Sequence, residues 1–213
     1  MKIKWLGHAT FLITSDTGTR IITDPYTTGG KLAYGEIKEA ADIVTVSHDH
    51  YDHNNIAAVR GNPSVVRGTA EVKGIKIRGI TTHHDRSQGR ERGNNIAFCL
   101  EVDEIKVCHL GDLGHPLGDK EVTELGETDI LLIPVGGFYT IDARVASQVC
   151  NQLKPRVIIP MHFKTNKCSA PIVKVDEFLK GKKDVIRLDD SEVEFKSVEL
   201  PATTQIMVLK PAL

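Results

Sequence analysis

Short apolar runs separated by polar turns recur along the chain and predict a protein rich in β-strands. The first three runs are apolar at most positions, so we expect their strands to lie in a sheet that is covered on both faces. The turn Asp16-Thr17-Gly18 predicts a hairpin between the second and third strands. The predicted strands are residues 2–6, 9–14, 20–24, 43–46, 64–67, 71–80, 96–102, 105–110, 130–135, 156–160, 185–188, 192–198 and 205–209.

One segment has the spacing of an amphipathic helix. It begins at Thr140 or Ile141 and ends near Leu153, before Pro155. Shorter helices are predicted over 119–125, over 172–180 and from Asn54 or Asn55 to Val59, and turns are predicted at 61–63 and 103–104. Residues 26–37 are rich in glycine and predict a mobile surface loop that forms one lip of a site. The apolar face of the long helix is formed by Ala143, Ala146, Val149, Cys150 and Leu153.

The composition is that of an ordinary globular protein. The chain has 213 residues, of which 26% are charged and 40% hydrophobic, and this predicts one domain over 1–213. A net charge of −1 argues against a broad basic surface that binds nucleic acid, but not against local basic loops. The chain has no apolar segment of signal-peptide or membrane-spanning type, from which we expect a cytoplasmic protein with no membrane partner. The four cysteines form no C-x-x-C pair, so a thiolate zinc ribbon is not predicted.

The densest chemistry lies in Ser47-His48-Asp49-His50-Tyr51-Asp52-His53, directly after the apolar run 43–46. Imidazoles and carboxylates clustered in this way are typical ligands of first-row transition metals. In extended chain, residues i and i+2 point the same way, so His48 and His50 would hold one ion from one side. A turn at Tyr51 would direct Asp52 and His53 to a second ion about 3.5–4 Å away. The alternative is a solvated polar loop that contains histidines by chance.

Further candidate ligands follow other predicted strands. His83 and His84 are adjacent and point to opposite faces, so one of them at most reaches the metals, and the pattern alone does not decide which. Asp112 lies between Gly111 and Leu113 just past a strand, where a carboxylate has room to bridge two ions. His162 follows the strand at 156–160, with a buried structural histidine as the alternative.

Three residues are candidates for orienting the metal ligands. His8 follows Gly7 between two strands, Asp24 precedes Pro25, and His115 lies three residues after Asp112. The alternatives are a structural histidine at residue 8 and a turn cap at Asp24. His109 is expected to be structural.

Substrate contacts are expected from later loops. Residues 86–95 are too polar for the core and form either a solvated hairpin loop or a flap that presents Arg86, Arg90 or Arg92 to an anionic substrate. Near other strand ends, Tyr139, Thr140 and Lys164 are further candidates for substrate binding.

Taken in order, these motifs resemble the metallo-β-lactamase superfamily. The resemblance rests on His48-x-His50-x-Asp52-His53, His84, Asp112 and His162. The phrases Leu6-Gly7-His8, Thr23-Asp24-Pro25, Leu110-Gly111-Asp112-Leu113-Gly114-His115 and Pro160-Met161-His162 are similar to the branch of L-ascorbate-6-phosphate lactonase-like proteins.

The resemblance implies an α+β fold, a four-layer αββα sandwich with the metals at one edge. It also implies His84 instead of His83, because the motif is a histidine followed by aspartate. His48, His50 and His84 would bind the first metal, Asp52, His53 and His162 the second, and Asp112 would bridge them.

The expected function is that of a dinuclear metal-dependent hydrolase with two divalent ions, zinc first and manganese or iron as alternatives. Two cations lower the pKa of a shared water toward about 7, which yields a nucleophilic hydroxide for a lactone, amide or phosphoester. Asp112 would act as the catalytic bridge, and Asp52 would steer or accept the proton. The alternatives are a phosphodiesterase or nuclease, favoured if residues 86–92 form a basic wall, and a regulatory metal-binding module without turnover.

Overall fold

The computed structural model describes all 213 residues and contains fourteen β-strands and three α-helices. The strands are β1 (Lys2–Gly7), β2 (Thr10–Thr14), β3 (Arg20–Thr23), β4 (Ala40–Thr45), β5 (Arg60–Val66), β6 (Ala70–Val72), β7 (Ile75–His83), β8 (Asn94–Val102), β9 (Ile105–His109), β10 (Ile130–Pro134), β11 (Val157–Met161), β12 (Val185–Arg187), β13 (Glu192–Glu194) and β14 (Gln205–Val208). The helices are α1 (Asp119–Leu125), α2 (Ala143–Leu153) and α3 (Asp176–Leu179).

The strands form two mixed sheets. The six-stranded sheet has the order β13-β1-β2-β3-β4-β5, with β3, β4 and β5 parallel. The eight-stranded sheet has the order β12-β14-β11-β10-β9-β8-β7-β6; its strands from β12 to β9 are parallel and those from β9 to β6 are antiparallel. With few helices beside two mixed sheets, the predicted α+β class is confirmed.

Successive residues of the smaller sheet enter two different cores. Ile43 belongs to the main core, which also contains Phe98 and Ile133 of the larger sheet, whereas Val44 belongs to a second core on the opposite face. This division follows from the alternation of side chains along a strand. Irregular chain, including the buried Tyr34 of the 26–37 loop, covers this second face instead of a long helix.

Several predicted elements differ in the structure. The strand predicted over 71–80 is a hairpin, since Lys73 and Gly74 both have positive φ and form a tight turn between β6 and β7. The turn predicted at 61–63 lies inside β5, where Pro63 is tolerated because β5 is an edge strand with a register shift opposite Ala41 and Ile43.

The helix predicted over 119–125 is confirmed as α1, whereas the other helical predictions were too long. The long helix begins at Ala143 because the Asp142 side chain accepts a hydrogen bond from the Val145 amide and caps it. Of the helix predicted over 172–180 only α3 forms, and the one predicted to end at Val59 is a single 3-10 turn. The strand predicted over 192–198 ends at Glu194 and is followed by a 3-10 turn, Ser197–Glu199.

The four cysteines are buried and not disulfide-bonded, and Cys99 and Cys108 face each other across β8 and β9.

No helix of the structure is both long enough and apolar enough to span a bilayer.

Candidate metal centre

One edge of the two sheets collects the predicted ligands. In the smaller sheet, β1, β3 and β4 run in the same direction, and in the larger sheet β7, β9 and β11 do so. Their carboxyl ends therefore deliver side chains to a common region. The residues that follow these six strands are, in chain order, His8, Asp24, the segment 47–53, His84, Asp112 and His162.

The first cluster consists of His48, His50 and His84, whose candidate ligand atoms all lie within 4.8 Å of one another. His48 Nε2 and His50 Nδ1 are 3.1 Å apart. Burial lowers the pKa of His48 to about 3, so its imidazole is neutral, which is the form that binds metals. The structure thus brings together the three residues expected at the first ion, with His84 inside the cluster and His83 outside it.

The second cluster contains Asp52, His53 and His162, together with His8, again within 4.8 Å. His8 Nε2 lies 3.3 Å from Asp52 Oδ2, and the His8 and His162 rings are 4.1 Å apart. Burial and the neighbouring His162 lower the pKa of His8 to about 4. His8, expected only to orient ligands, therefore lies among the candidate ligands themselves.

Asp112 lies between the two clusters. Its Oδ2 atom is 3.2 Å from His84 Nε2 and 4.0 Å from His48 Nε2 of the first cluster. The same atom is 3.2 Å from His53 Nε2 and 3.4 Å from His162 Nε2 of the second. Burial raises the pKa of the Asp112 carboxyl, but His162 and His53 outweigh burial and hold this pKa well below its usual range. A carboxylate in this place has the geometry of a bridging ligand.

Six buried polar atoms of the clusters have no hydrogen-bond partner: Asp112 Oδ1, His53 Nε2, His84 Nδ1, His162 Nδ1 and both ring nitrogens of His8. A buried polar atom without a partner is costly, at about 1–3 kcal/mol each, and is rarely tolerated unless a ligand satisfies it. Imidazole nitrogens combined with carboxylate oxygens suit zinc and its first-row neighbours. The residues present therefore fit divalent metal ions.

Asp24 orients two of these histidines. Its Oδ2 atom accepts hydrogen bonds from His53 Nδ1 at 2.9 Å and from Ser47 Oγ at 2.5 Å, and its Oδ1 atom accepts from the Ser47 amide. Because Ser47 donates its hydroxyl proton to Asp24, Ser47 Oγ accepts from His48 Nδ1 at 2.9 Å. Both histidines therefore carry a proton on Nδ1, which leaves Nε2 as the ring atom that faces the centre and would bind a metal.

Asn95 fixes the loop that carries Asp112. Its side chain accepts from the Asp112 amide and donates to Leu110 O and Thr82 Oγ1. The loop packs so closely that a Cβ atom on Gly111 would lie 2.4 Å from Asn95 Oδ1, and one on Gly114 would lie 2.2 Å from the backbone of His84. Only glycine allows these approaches, because it has no Cβ atom. Gly111 and Gly114 therefore let the loop of Asp112 pack directly against Asn95 and the backbone of His84.

A cavity of about 310 Å³ opens above the clusters. Asp52, Asp112 and four of the histidines form its floor, and Arg92 and Tyr139 of the predicted substrate contacts line its wall. The sequence did not single out the other wall residues, although Lys31 and Leu32 lie in the 26–37 loop that was expected to form a lip. These unpredicted wall residues are Lys31, Leu32, Tyr51 and Ala170.

The predicted substrate contacts Arg86, Arg90, Thr140 and Lys164 do not line this cavity, and neither does His115. Arg90 is exposed, Thr140 is buried beside a neighbouring groove, and Lys164 donates to Ala170 O. His115 contacts none of the clustered residues; its Nε2 accepts from the His83 amide, and its Nδ1 bonds Pro116 O. His109 is held inside the fold, as expected of a structural histidine, with Nε2 donating to Ala9 O and Nδ1 accepting from the Gly111 amide.

The segment 86–93 folds around the carboxylate of Asp85. Oδ1 accepts from the amides of Ser87 and Gly89, and Oδ2 accepts from those of Glu91 and Arg92. Burial raises the pKa of Asp85, but these four bonds outweigh it and lower the pKa to about 2. The segment is thus an organised loop, from which Arg92 reaches the cavity.

Several known proteins are similar to this chain. Residues 2–162 match the family model described as the β-lactamase superfamily domain. A protein from Thermococcus onnurineus is 31% identical over 78% of this chain and 85% of its own length, and one from Archaeoglobus fulgidus is 31% identical over 78% and 84%. Both relatives are named UPF0173 metal-dependent hydrolases.

A solved structure is more similar still. A Thermotoga maritima protein, described as a candidate zinc-dependent hydrolase of the metallo-β-lactamase superfamily, superposes with a TM-score of 0.81 at 40% identity. The match covers 98% of this chain and 97% of that one.

Proposed function

The chain belongs to the metallo-β-lactamase superfamily, and from this premise we propose that it is a dinuclear metal-dependent hydrolase of a small molecule. The domain is proposed to span residues 1–213, because one core joins both sheets. In this proposal His48, His50 and His84 hold the first ion. Asp52, His53 and His162 hold the second, with His8 beside them, and Asp112 bridges the two.

The position of Asp112 Oδ2 carries the proposal. One carboxylate oxygen lies within 4.0 Å of four imidazole nitrogens, two from each cluster. A single-ion site needs three or four protein ligands, and this edge of the sheets supplies twice that number of imidazoles and carboxylates. The arrangement is therefore best explained by two ions that share Asp112.

The chemistry proposed for the site divides between the ions and the chain. Two divalent ions would supply Lewis acidity and a lowered pKa of water, whether they are zinc, manganese or iron. Burial raises the pKa of Asp52, but His8 and His53 outweigh it and lower this pKa, so Asp52 is ionised and placed to orient water or accept a proton at Oδ2. The hydrogen bonds of Asp24 and Ser47 fix the tautomers of His48 and His53.

A lactone, amide or phosphoester of a small molecule is the proposed substrate. The cavity volume of about 310 Å³ lies at the small end of ligand pockets and supports this size class. Similarity to L-ascorbate-6-phosphate lactonase-like proteins rests on short motifs, and this branch stays a proposal. The observation that would favour a nuclease is missing, because Arg92 alone of the arginines in 86–92 lines the cavity and Arg86 lies 3.9 Å from Asp142.

Reconstitution tests the proposed activity. Protein stripped of metal and reloaded with zinc or manganese is expected to hydrolyse a lactone, an ester or a bis-phosphodiester reporter. The His50→Ala variant removes a ligand of the first cluster and is expected to lose about a hundredfold or more of this rate. The matched control is His83→Ala, since the His83 ring bonds Asn94 outside the clusters. Fully loaded wild-type protein that cleaves none of the reporters would contradict the proposal and favour a regulatory metal-binding module.

A further inference from the structure

The cavity wall opposite the metal clusters carries two cationic side chains, Lys31 and Arg92. Neither lies within ion-pair distance of any carboxylate. By contrast, the nearby Arg67 pairs with Asp49 at 2.7 Å. Two unpaired positive charges that face one cavity favour an anionic occupant.

Tyr139 holds both cations in place. Lys31 Nζ donates to the Tyr139 hydroxyl at 2.9 Å and lies 5.5 Å from the ring centroid. The Arg92 guanidinium lies 5.4 Å from the same centroid, and its Nη1 donates to Tyr139 O at 3.3 Å. Each cation uses one donor in these bonds, so most of the N–H groups stay free for a ligand.

The backbone on either side of the cavity is fixed as well. The Arg92 amide is bound to Asp85, directly after the metal-cluster residue His84. Lys31 O accepts from the Ser169 amide at 2.8 Å. The two charges are therefore presented at a set position relative to the clusters, which reduces the entropy lost when a ligand binds.

We propose that Lys31, Arg92 and Tyr139 form an anion-binding subsite, which selects small substrates with a carboxylate or phosphate group remote from the bond that is cleaved. This inference deepens the proposed hydrolase function and rests on it. The bond to be cleaved would lie over Asp112, while the remote anion would contact Lys31 and Arg92. Because these contacts form in the ground state and the transition state alike, they would lower KM and leave kcat unchanged.

The test compares zinc-loaded wild type with Lys31→Gln, Arg92→Gln and the double variant. Three versions of one reporter are used: neutral, with a remote carboxylate, and with a remote phosphate. Each substitution is expected to raise KM for an anionic reporter about tenfold and to leave its kcat unchanged. The KM of the neutral reporter is expected to stay the same. The reporter with the larger change identifies which anion the subsite accepts. An equal rise of KM for the neutral reporter would overturn the proposal.

A binding measurement separates this inference from the proposed function. Calorimetry with inorganic phosphate and with acetate, on proteins matched for zinc content, is expected to give about tenfold weaker binding of at least one of the two anions to the double variant. The controls are Lys38→Gln and Arg144→Gln, which remove equal charges from exposed positions outside the cavity. If no reporter is cleaved, the hydrolase proposal fails while calorimetry still decides the subsite. Equal affinity of wild type and double variant for both anions would overturn the subsite.

Discussion

The Asp112→Asn variant is expected to lose hydrolytic activity by on the order of a thousandfold, together with at least one bound ion. The substitution keeps the side-chain volume but removes the negative charge shared by the two clusters. Four imidazole nitrogens within 4.0 Å of Oδ2 would then face an amide, which cannot offset the charge of two cations. Activity assays and elemental analysis of the purified variant measure the two losses separately.

The matched control for Asp112→Asn is Asp49→Asn. Asp49 lies inside the histidine motif, but its side chain is 79% exposed and pairs with Arg67 away from the clusters. Metal content and rate are expected to stay near those of wild type in this control. An Asp112→Asn protein that still binds two ions and keeps its rate would show that the carboxylate does not bridge.

The Asp24→Asn variant is expected to bind metal about 10–100-fold more weakly, with a matching loss of rate. Asp24 has a φ of 38°, which asparagine also tolerates, so the backbone should be kept. The amide would place a donor opposite His53 Nδ1 or Ser47 Oγ and would favour a proton on Nε2 of the histidine. An imidazole in that tautomer has no lone pair to direct at a metal.

Zinc titration of Asp24→Asn against a competing chelator measures this loss of affinity, and thermal unfolding reports whether the fold is kept. Asp42→Asn serves as the control, because Asp42 lies in the same sheet as Asp24 but does not contact the histidines. Its side chain accepts hydrogen bonds from Lys73 Nζ and from the Arg20 amide. Unchanged zinc affinity in Asp24→Asn would mean that the hydrogen bonds to Ser47 and His53 do not control the ligands.

The candidate ligands could be predicted from the sequence because strand-end positions and short motifs are local. Each of His48, His84, Asp112 and His162 follows a predicted strand, and strands that run in the same direction bring such positions to one edge. The place of His8 was not predictable in the same way. A lone histidine after Gly7 gives no local signal of a metal site. His8 comes close to Asp52 only because β1 and β4 lie in the same sheet, with β2 and β3 between them.

The cavity wall was predicted less well than its floor. Hydrogen bonds between the 26–37 loop and residues more than 130 positions away place Lys31 at the cavity. One of them is donated by the Ser169 amide to Lys31 O, and no sequence pattern within the loop predicts such bonds. Arg90 and Arg92 are equivalent by composition, but the hydrogen bonds to Asp85 determine which one faces inward. In the same way, tertiary pairing placed Pro63 in an edge strand where local turn propensity predicted a turn.

The most direct measurement is anomalous diffraction at the zinc edge from crystals of the zinc-loaded protein. Two peaks about 3.5–4 Å apart are expected, both within bonding distance of the Asp112 carboxylate. One should lie among His48, His50 and His84, and the other among Asp52, His53 and His162. A single peak at full zinc loading, or peaks that do not share Asp112, would contradict the dinuclear centre.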